Sequence, residues 1–193
     1  MSRRSLTLSL ALLATASPAF AHPGHAETTS FLSGLLHPLL GIDHLFALIA
    51  VGLLTTRLQN SRRLKLPLTF LLMMTVGMGA GLLHLPVVGT EQGIALSLVV
   101  GGMFLALARP LPVLMQRGVA GLFALYHGVA HGSEILAGNV LVYSIGILCA
   151  SALVILFTYL LGTRLSVHHS ERVERFSGSI IGLTGLTFLS LAG

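Results

Sequence analysis

Residues 31–55 read FLSGLLHPLLGIDHLFALIAVGLLT, a run without lysine or arginine and with one acid, Asp43. A hydrocarbon core needs ~20 consecutive, mostly apolar residues to be crossed by a helix. Phe31 to Thr55 is therefore expected to form one transmembrane span. Working outward, five further runs of similar character follow: Leu66 to Leu85, Glu91 to Ala108, Pro112 to His131, Val140 to Thr163 and Phe176 to Ala192. The whole chain of 193 residues is 54% hydrophobic and 9% charged. So little polar surface cannot cover a water-soluble globule of this size, which makes the bilayer its solvent. The expected fold class is all-α, a polytopic membrane helix bundle with six transmembrane helices.

Upstream of the first run, the start of the chain has the layout of a secretory signal. Arg3 and Arg4 precede a short apolar stretch from Leu6, and Ala19-Phe20-Ala21 offers a small-x-small cleavage site. That stretch is too short to span a bilayer. The organisation that follows is a cleavable signal peptide over 1–21, an exported segment with histidines over 22–30, and a six-helix transmembrane domain over 31–193.

Eleven Lys and Arg stand against six Asp and Glu. In a soluble protein such a balance would suggest nucleic acid as a partner, but here the charges sit between apolar runs. Arg57, Arg62, Arg63 and Lys65 follow the first run, Arg109 and Arg117 the third, and Arg164, Arg172 and Arg175 the fifth. The alternate connections, His84 to Glu91 and Gly132 to Asn139, have neither lysine nor arginine. By the positive-inside rule those connections and both termini face outward, an N-out and C-out protein of a bacterial inner membrane. Gly77, Gly79 and Gly81, Gly128 and Gly132, and Gly178 and Gly182 supply small residues on which helices can approach closely.

Ionisable side chains inside a span cost about 2.5–3.5 kcal/mol on insertion scales, so a group of them asks for a function. His37, Asp43 and His44 occupy the outer part of the first run, and His127, His131 and Glu134 the outer part of the fourth. As helices, His37 and His44 share a face at seven-residue spacing, and His127, His131 and Glu134 form a stripe. Pro38 would kink or start the first span, and Gly41 would let another backbone come close. His84 and Glu91 fall on the same side, and His22, Pro23, Gly24 and His25 would form the exported N-terminus. Two neighbouring helices could close a site of imidazole and carboxylate, a donor set that suits nickel, cobalt or zinc.

The single cysteine, Cys149, excludes an intramolecular disulfide and a thiolate cluster, which argues against copper(I). No phosphate-binding glycine loop is present, so ATP hydrolysis by this chain is not expected. The reading that the residues favour is a permease and not an enzyme. Its metal-binding residues would be His37, Asp43, His44, His127, His131 and Glu134, with His22, His25 and His84 on the approach. The partners are a divalent cation as cargo and the lipid bilayer, with no tightly bound cofactor and no nucleic acid; a homo-oligomer remains open. Alternatives are a membrane metalloenzyme with Glu134 as general base, or an electron carrier with haem on the histidines.

Two motifs carry a resemblance. His37-Pro38-Leu39-Leu40-Gly41-Ile42-Asp43-His44, continued by Val51-Gly52, and Tyr126-His127-Gly128-Val129-Ala130-His131-Gly132-Ser133-Glu134 are similar to the signatures of the HupE/UreJ family. Its members are hydrogenase and urease accessory proteins that act as nickel permeases. The resemblance covers essentially the whole mature chain. It implies uptake of Ni2+, or Co2+ as in some relatives, with His37, Asp43, His44, His127, His131 and Glu134 as transport residues. Leu48 stands where the first motif often has methionine, and Tyr126 where phenylalanine commonly precedes the histidine. The first difference removes a soft ligand and leaves the choice of metal open.

Overall fold

The computed structural model describes residues 29–59, 62–108, 111–135, 138–164 and 167–192. The expected signal peptide over 1–21, and the approach residues His22 and His25, lie outside the described residues. Among the described residues there is no strand, and the long elements are all α-helices. In chain order these are α1 (Phe31–Leu40), α2 (Ile42–Thr56), α3 (Lys65–Leu82), α4 (Thr90–Leu107), α5 (Val113–Ser133), α6 (Val140–Arg164) and α7 (Val167–Leu191).

The run from Phe31 to Thr55 is not one straight span. It forms α1 and α2, whose axes meet at 84°. A reciprocal serine pair starts α1: the Ser30 hydroxyl accepts from the Ser33 amide at 3.1 Å and the Ser30 amide donates to the Ser33 hydroxyl at 2.9 Å. Pro38 lies inside α1 and has no N–H, so the ladder already lacks one bond there. The break itself comes at Gly41, which adopts an extended backbone, φ −83° and ψ 114°, and serves as C-cap of α1 and N-cap of α2. Hydrophobicity marked the length of this segment and could not register the break, because both halves are apolar.

α3, α4 and α6 are long and apolar enough to cross a membrane, and the bent α1–α2 pair passes the same test as a unit. α5 is long enough but is diluted by Gln116, Arg117, His127 and His131. α7 begins ahead of the expected Phe176, because Glu171 through Arg175 also coil into the helix, where Arg175 and Glu171 stand 3.4 Å apart one turn from each other. Large apolar side chains such as Leu72, Leu153, Phe157 and Leu186 are exposed on the outer surface. A soluble protein would not leave so broad an apolar surface to water, and this chain is an integral membrane protein.

Glycine decides how the helices meet. A side chain at Gly77 or Gly81 of α3 would run into the Leu125 or Val129 carbonyl of α5, and one at Gly128 or Gly132 of α5 into the Met74 or Met78 carbonyl of α3. The α3 and α5 backbones are therefore in direct contact. Gly102 of α4 meets Gly178 and Gly182 of α7, and Gly34 of α1 meets Tyr143 of α6, in the same manner. Gly79, expected on a packed face, has nothing within 4 Å. The stripe of close approach is thus Gly77 and Gly81, four residues apart, and Gly79 between them points elsewhere.

At the far end of α2 lies a buried ion pair that charge patterning treated as part of a loop. Arg57 Nη2 stands 2.6 Å from Glu174 Oε2, and its Nε donates to the same oxygen at 2.7 Å. Arg57 also donates to the Phe104 and Leu105 carbonyls, both at 2.9 Å, at the C-terminal end of α4. The Thr56 hydroxyl, which donates to the Leu53 carbonyl at 2.7 Å, lies 3.1 Å from the other Glu174 oxygen. One guanidinium thereby ties α2, α4 and α7 together through charge-assisted hydrogen bonds. Glu174→Ala should lower stability by about 3–5 kcal/mol, since the guanidinium would stay buried without its counter-charge. Glu174→Gln should cost much less. Denaturant titration in detergent would show it, and equal midpoints for the two variants would contradict this role.

Candidate metal centre

Three elements converge where α1 breaks: the last turn of α1, the first turn of α2, and the C-terminal half of α5. His37 belongs to the first, Asp43 and His44 to the second, and His127, His131 and the C-cap Glu134 to the third. His37 and His44 had been expected to share a helix face. The break at Gly41 removes that common face, yet both rings still reach His131, with centroids at 4.9 Å from His37 and 4.3 Å from His44. The His127 ring lies 4.7 Å from His44. The imidazoles of the two runs thus meet through a broken helix and not through a shared helix face.

His37 Nε2 stands 3.0 Å from Glu134 Oε2. Together with His131 these residues each offer one ligand atom, and the three atoms lie within 4.8 Å of one another. His131 is buried while the His37 and Glu134 side chains are 24% and 44% exposed, so the trio has a sheltered member and two reachable ones. An ion of the first transition row, held at ~2.0–2.2 Å by nitrogen and oxygen, could be gripped by small movements of these side chains.

Deeper in, the hydrogen bonds orient two more rings. Asp43 Oδ1 accepts from the His44 amide and from His44 Nδ1–H, both at 2.8 Å. That fixes the proton on Nδ1 and leaves the lone pair on Nε2, an arrangement common to metal-binding imidazoles. Gly41 makes room for this pair: a Cβ there would stand 2.9 Å from Asp43 Oδ1 and 3.2 Å from His44 Nδ1. The expectation that Gly41 admits another backbone is thus replaced by a local one, in which its bare Cα accommodates side chains two and three residues on.

On α5, His127 Nε2 is 2.9 Å from the Ser97 hydroxyl of α4, and that hydroxyl donates to the Ile94 carbonyl at 2.6 Å. A hydroxyl has one proton to give, so it accepts from His127 Nε2–H, and the lone pair of His127 is on Nδ1. Ser97 is a positioning residue that no spacing rule singled out. A serine in an apolar helix is ordinarily absorbed by its own backbone, and nothing in the sequence told that its neighbour would be a histidine.

His84 and Glu91 are exposed at the α3–α4 turn and the start of α4. His84 has the left-handed backbone at φ 49° and stands outside the three-ligand group. Of the expected metal residues, then, His37, His131 and Glu134 form one group, with Asp43, His44 and His127 beside it.

The family model described as HupE / UreJ protein matches residues 10–188. The protein HupE of Rhizobium leguminosarum bv. viciae is 31% identical over 191 residues, covering 98% of this chain and 99% of that one. No solved structure matches. With both motifs in place around the break and similarity running from end to end, the chain belongs to the HupE / UreJ family.

Proposed function

We propose that this protein is a permease for divalent transition-metal ions, Ni2+ before Co2+, in the bacterial inner membrane. The observation that carries this reading is the convergence of His37, His131 and Glu134, three ligand atoms within 4.8 Å, at a broken helix in a chain poor in ionisable groups. Discontinuous helices recur where membrane transporters hold ions, because a helix end exposes polar backbone beside the side chains. Nickel takes precedence through the family resemblance, and the imidazole and carboxylate donors suit nickel and cobalt alike.

In this reading α1–α2 counts as one span, α5 and α7 cross with the other helices, and both termini face outward. His22 and His25 gather the hydrated cation, the trio of His37, His131 and Glu134 replaces part of its water, and the ion moves inward past His44 and His127. His84 stands on the approach. The membrane potential supplies the drive. At ~2.3 kcal/mol per charge per 100 mV, a divalent cation gains roughly 4–5 kcal/mol on entering a negative interior.

Uptake of radioactive nickel and cobalt into vesicles of the purified protein tests the proposal. Influx should follow an inside-negative potential and be absent from vesicles without protein. No protein-dependent influx at any potential would end the permease reading. Acid should suppress influx, because a proton on an imidazole occupies the lone pair that the metal needs. A rate that stays level from pH 8 to pH 5 would count against histidine ligation.

A further inference from the structure

Below the trio, the structure has three buried polar atoms without a hydrogen-bond partner that belong to residues lining one crevice: His44 Nε2, His131 Nδ1 and Ser151 Oγ. Membrane helices rarely leave such atoms alone, since each unsatisfied group in a medium of low polarity costs several kcal/mol. Other hydroxyls in this chain show the usual remedy. Thr55 donates to Val51, Thr158 to Val154 and Ser179 to Arg175, each to the carbonyl four residues back, at 2.7, 2.8 and 2.9 Å. Ser151, on α6 and 1% exposed, does not do so, and its hydroxyl is left for the crevice.

We propose that His44, His131 and Ser151 form a second, deeper cation station, to which His131 passes the ion from the trio. This inference rests on the reading of the trio as a cation site and adds to it a ligand, Ser151, from a helix that the two motifs do not include.

The orientation of the donors fits a cation. Asp43 holds the His44 proton on Nδ1, so the unpartnered Nε2 presents a lone pair. The His131 ring neighbours both His37 and His44, and is the imidazole common to the two stations. The serine hydroxyl is a hard oxygen donor, suited to nickel or cobalt and poorly suited to a soft ion. Met74 and the oriented His127 ring line the same crevice.

The dimensions fit a dehydrated ion. The gaps among these residues are too narrow for a water molecule. A water needs its neighbours at ~2.8 Å, whereas a bare divalent ion draws nitrogen and oxygen to ~2.1 Å. The crevice therefore admits an ion only after its waters are gone, which is the task assigned to the trio above it. Because His131 serves both stations, one ion at a time is expected, changing partners as it descends.

Ser151→Cys in the full-length protein supplies a direct test with Co2+ as the probe. A thiolate bound to cobalt gives an intense sulfur-to-metal charge-transfer band in the near ultraviolet, and the wild-type chain, with Cys149 alone, is the blank. The band should appear in Ser151→Cys, persist when Glu134→Gln is added, and vanish with His44→Ala. Ser151→Ala should slow nickel influx by about 10- to 100-fold, the range seen when groups supporting a metal site are removed. Since it deletes a buried hydroxyl without a partner, it should not lower stability. Cobalt binding by equilibrium dialysis without the band in Ser151→Cys, and with normal influx in Ser151→Ala, would overturn the deeper station and leave the trio standing. Absence of cobalt binding in the wild-type protein as well would remove both.

Discussion

Replacing His131 with alanine should abolish nickel uptake while the protein stays inserted in the membrane. His131 is buried on α5, belongs to the group with His37 and Glu134, and has its ring 4.3 Å from that of His44. A loss of more than about 100-fold is expected, because removing even a group that merely orients a metal ligand costs 10- to 100-fold. Neither neighbouring ring can move into its place, since Ser97 fixes the position of His127 and Asp43 that of His44. His84→Ala, at an exposed turn outside the trio, should cost far less. Influx measured at matched membrane content separates the two, and equal rates for both variants would defeat the assignment of the trio.

The second large effect concerns the seam between α3 and α5. In Gly128→Ala the new Cβ would lie 2.8 Å from the Met78 amide nitrogen and 2.9 Å from Gly77 Cα, with the Met74 carbonyl oxygen closer still. All three are backbone atoms that cannot swing aside, so the helices must part. Overpacking of this kind costs about 1–3 kcal/mol, and the upper end is expected here because no flexible side chain absorbs the clash. Influx should fall with stability, since His127 and His131 flank the substituted position. Gly79→Ala is the matched control: it meets nothing within 4 Å and exchanges a poor helix former for a good one. Thermal unfolding in detergent should place Gly128→Ala below the wild type and Gly79→Ala at or slightly above it. If both behave alike, direct contact between the two backbones is not what joins these helices.

These predictions differ in how far the sequence alone could have made them. His131 was legible early, because an imidazole in a run of apolar residues is costly and its spacing from His127 and Glu134 is regular. The seam was half legible. Gly77, Gly81, Gly128 and Gly132 were visible as small residues, but Gly79 looked equivalent until the packing showed which face α5 covers. The ion pair of Arg57 with Glu174 was not legible, because charge patterning along the chain gives the side of the membrane on which an arginine lies and not which acid it meets 117 residues later. Ser97 and Ser151 gave no sign, since a serine's role depends on what stands opposite it.

The amino-acid sequence by itself determined that the chain is helical, that it lives in a bilayer, and which histidines and acids are out of place there. These are properties of runs and composition, governed by the cost of exposing backbone and charge to hydrocarbon, and they add up locally along the chain. Only the tertiary structure decided that the first apolar run breaks at Gly41 into two helices at 84°, that His131 is the ring both of its halves reach, and that a serine from α6 lines the same crevice as His44 and His131. The reason is that ligand geometry depends on contacts between residues far apart in sequence, and glycine seams, invisible to hydropathy, set the distance at which those residues meet.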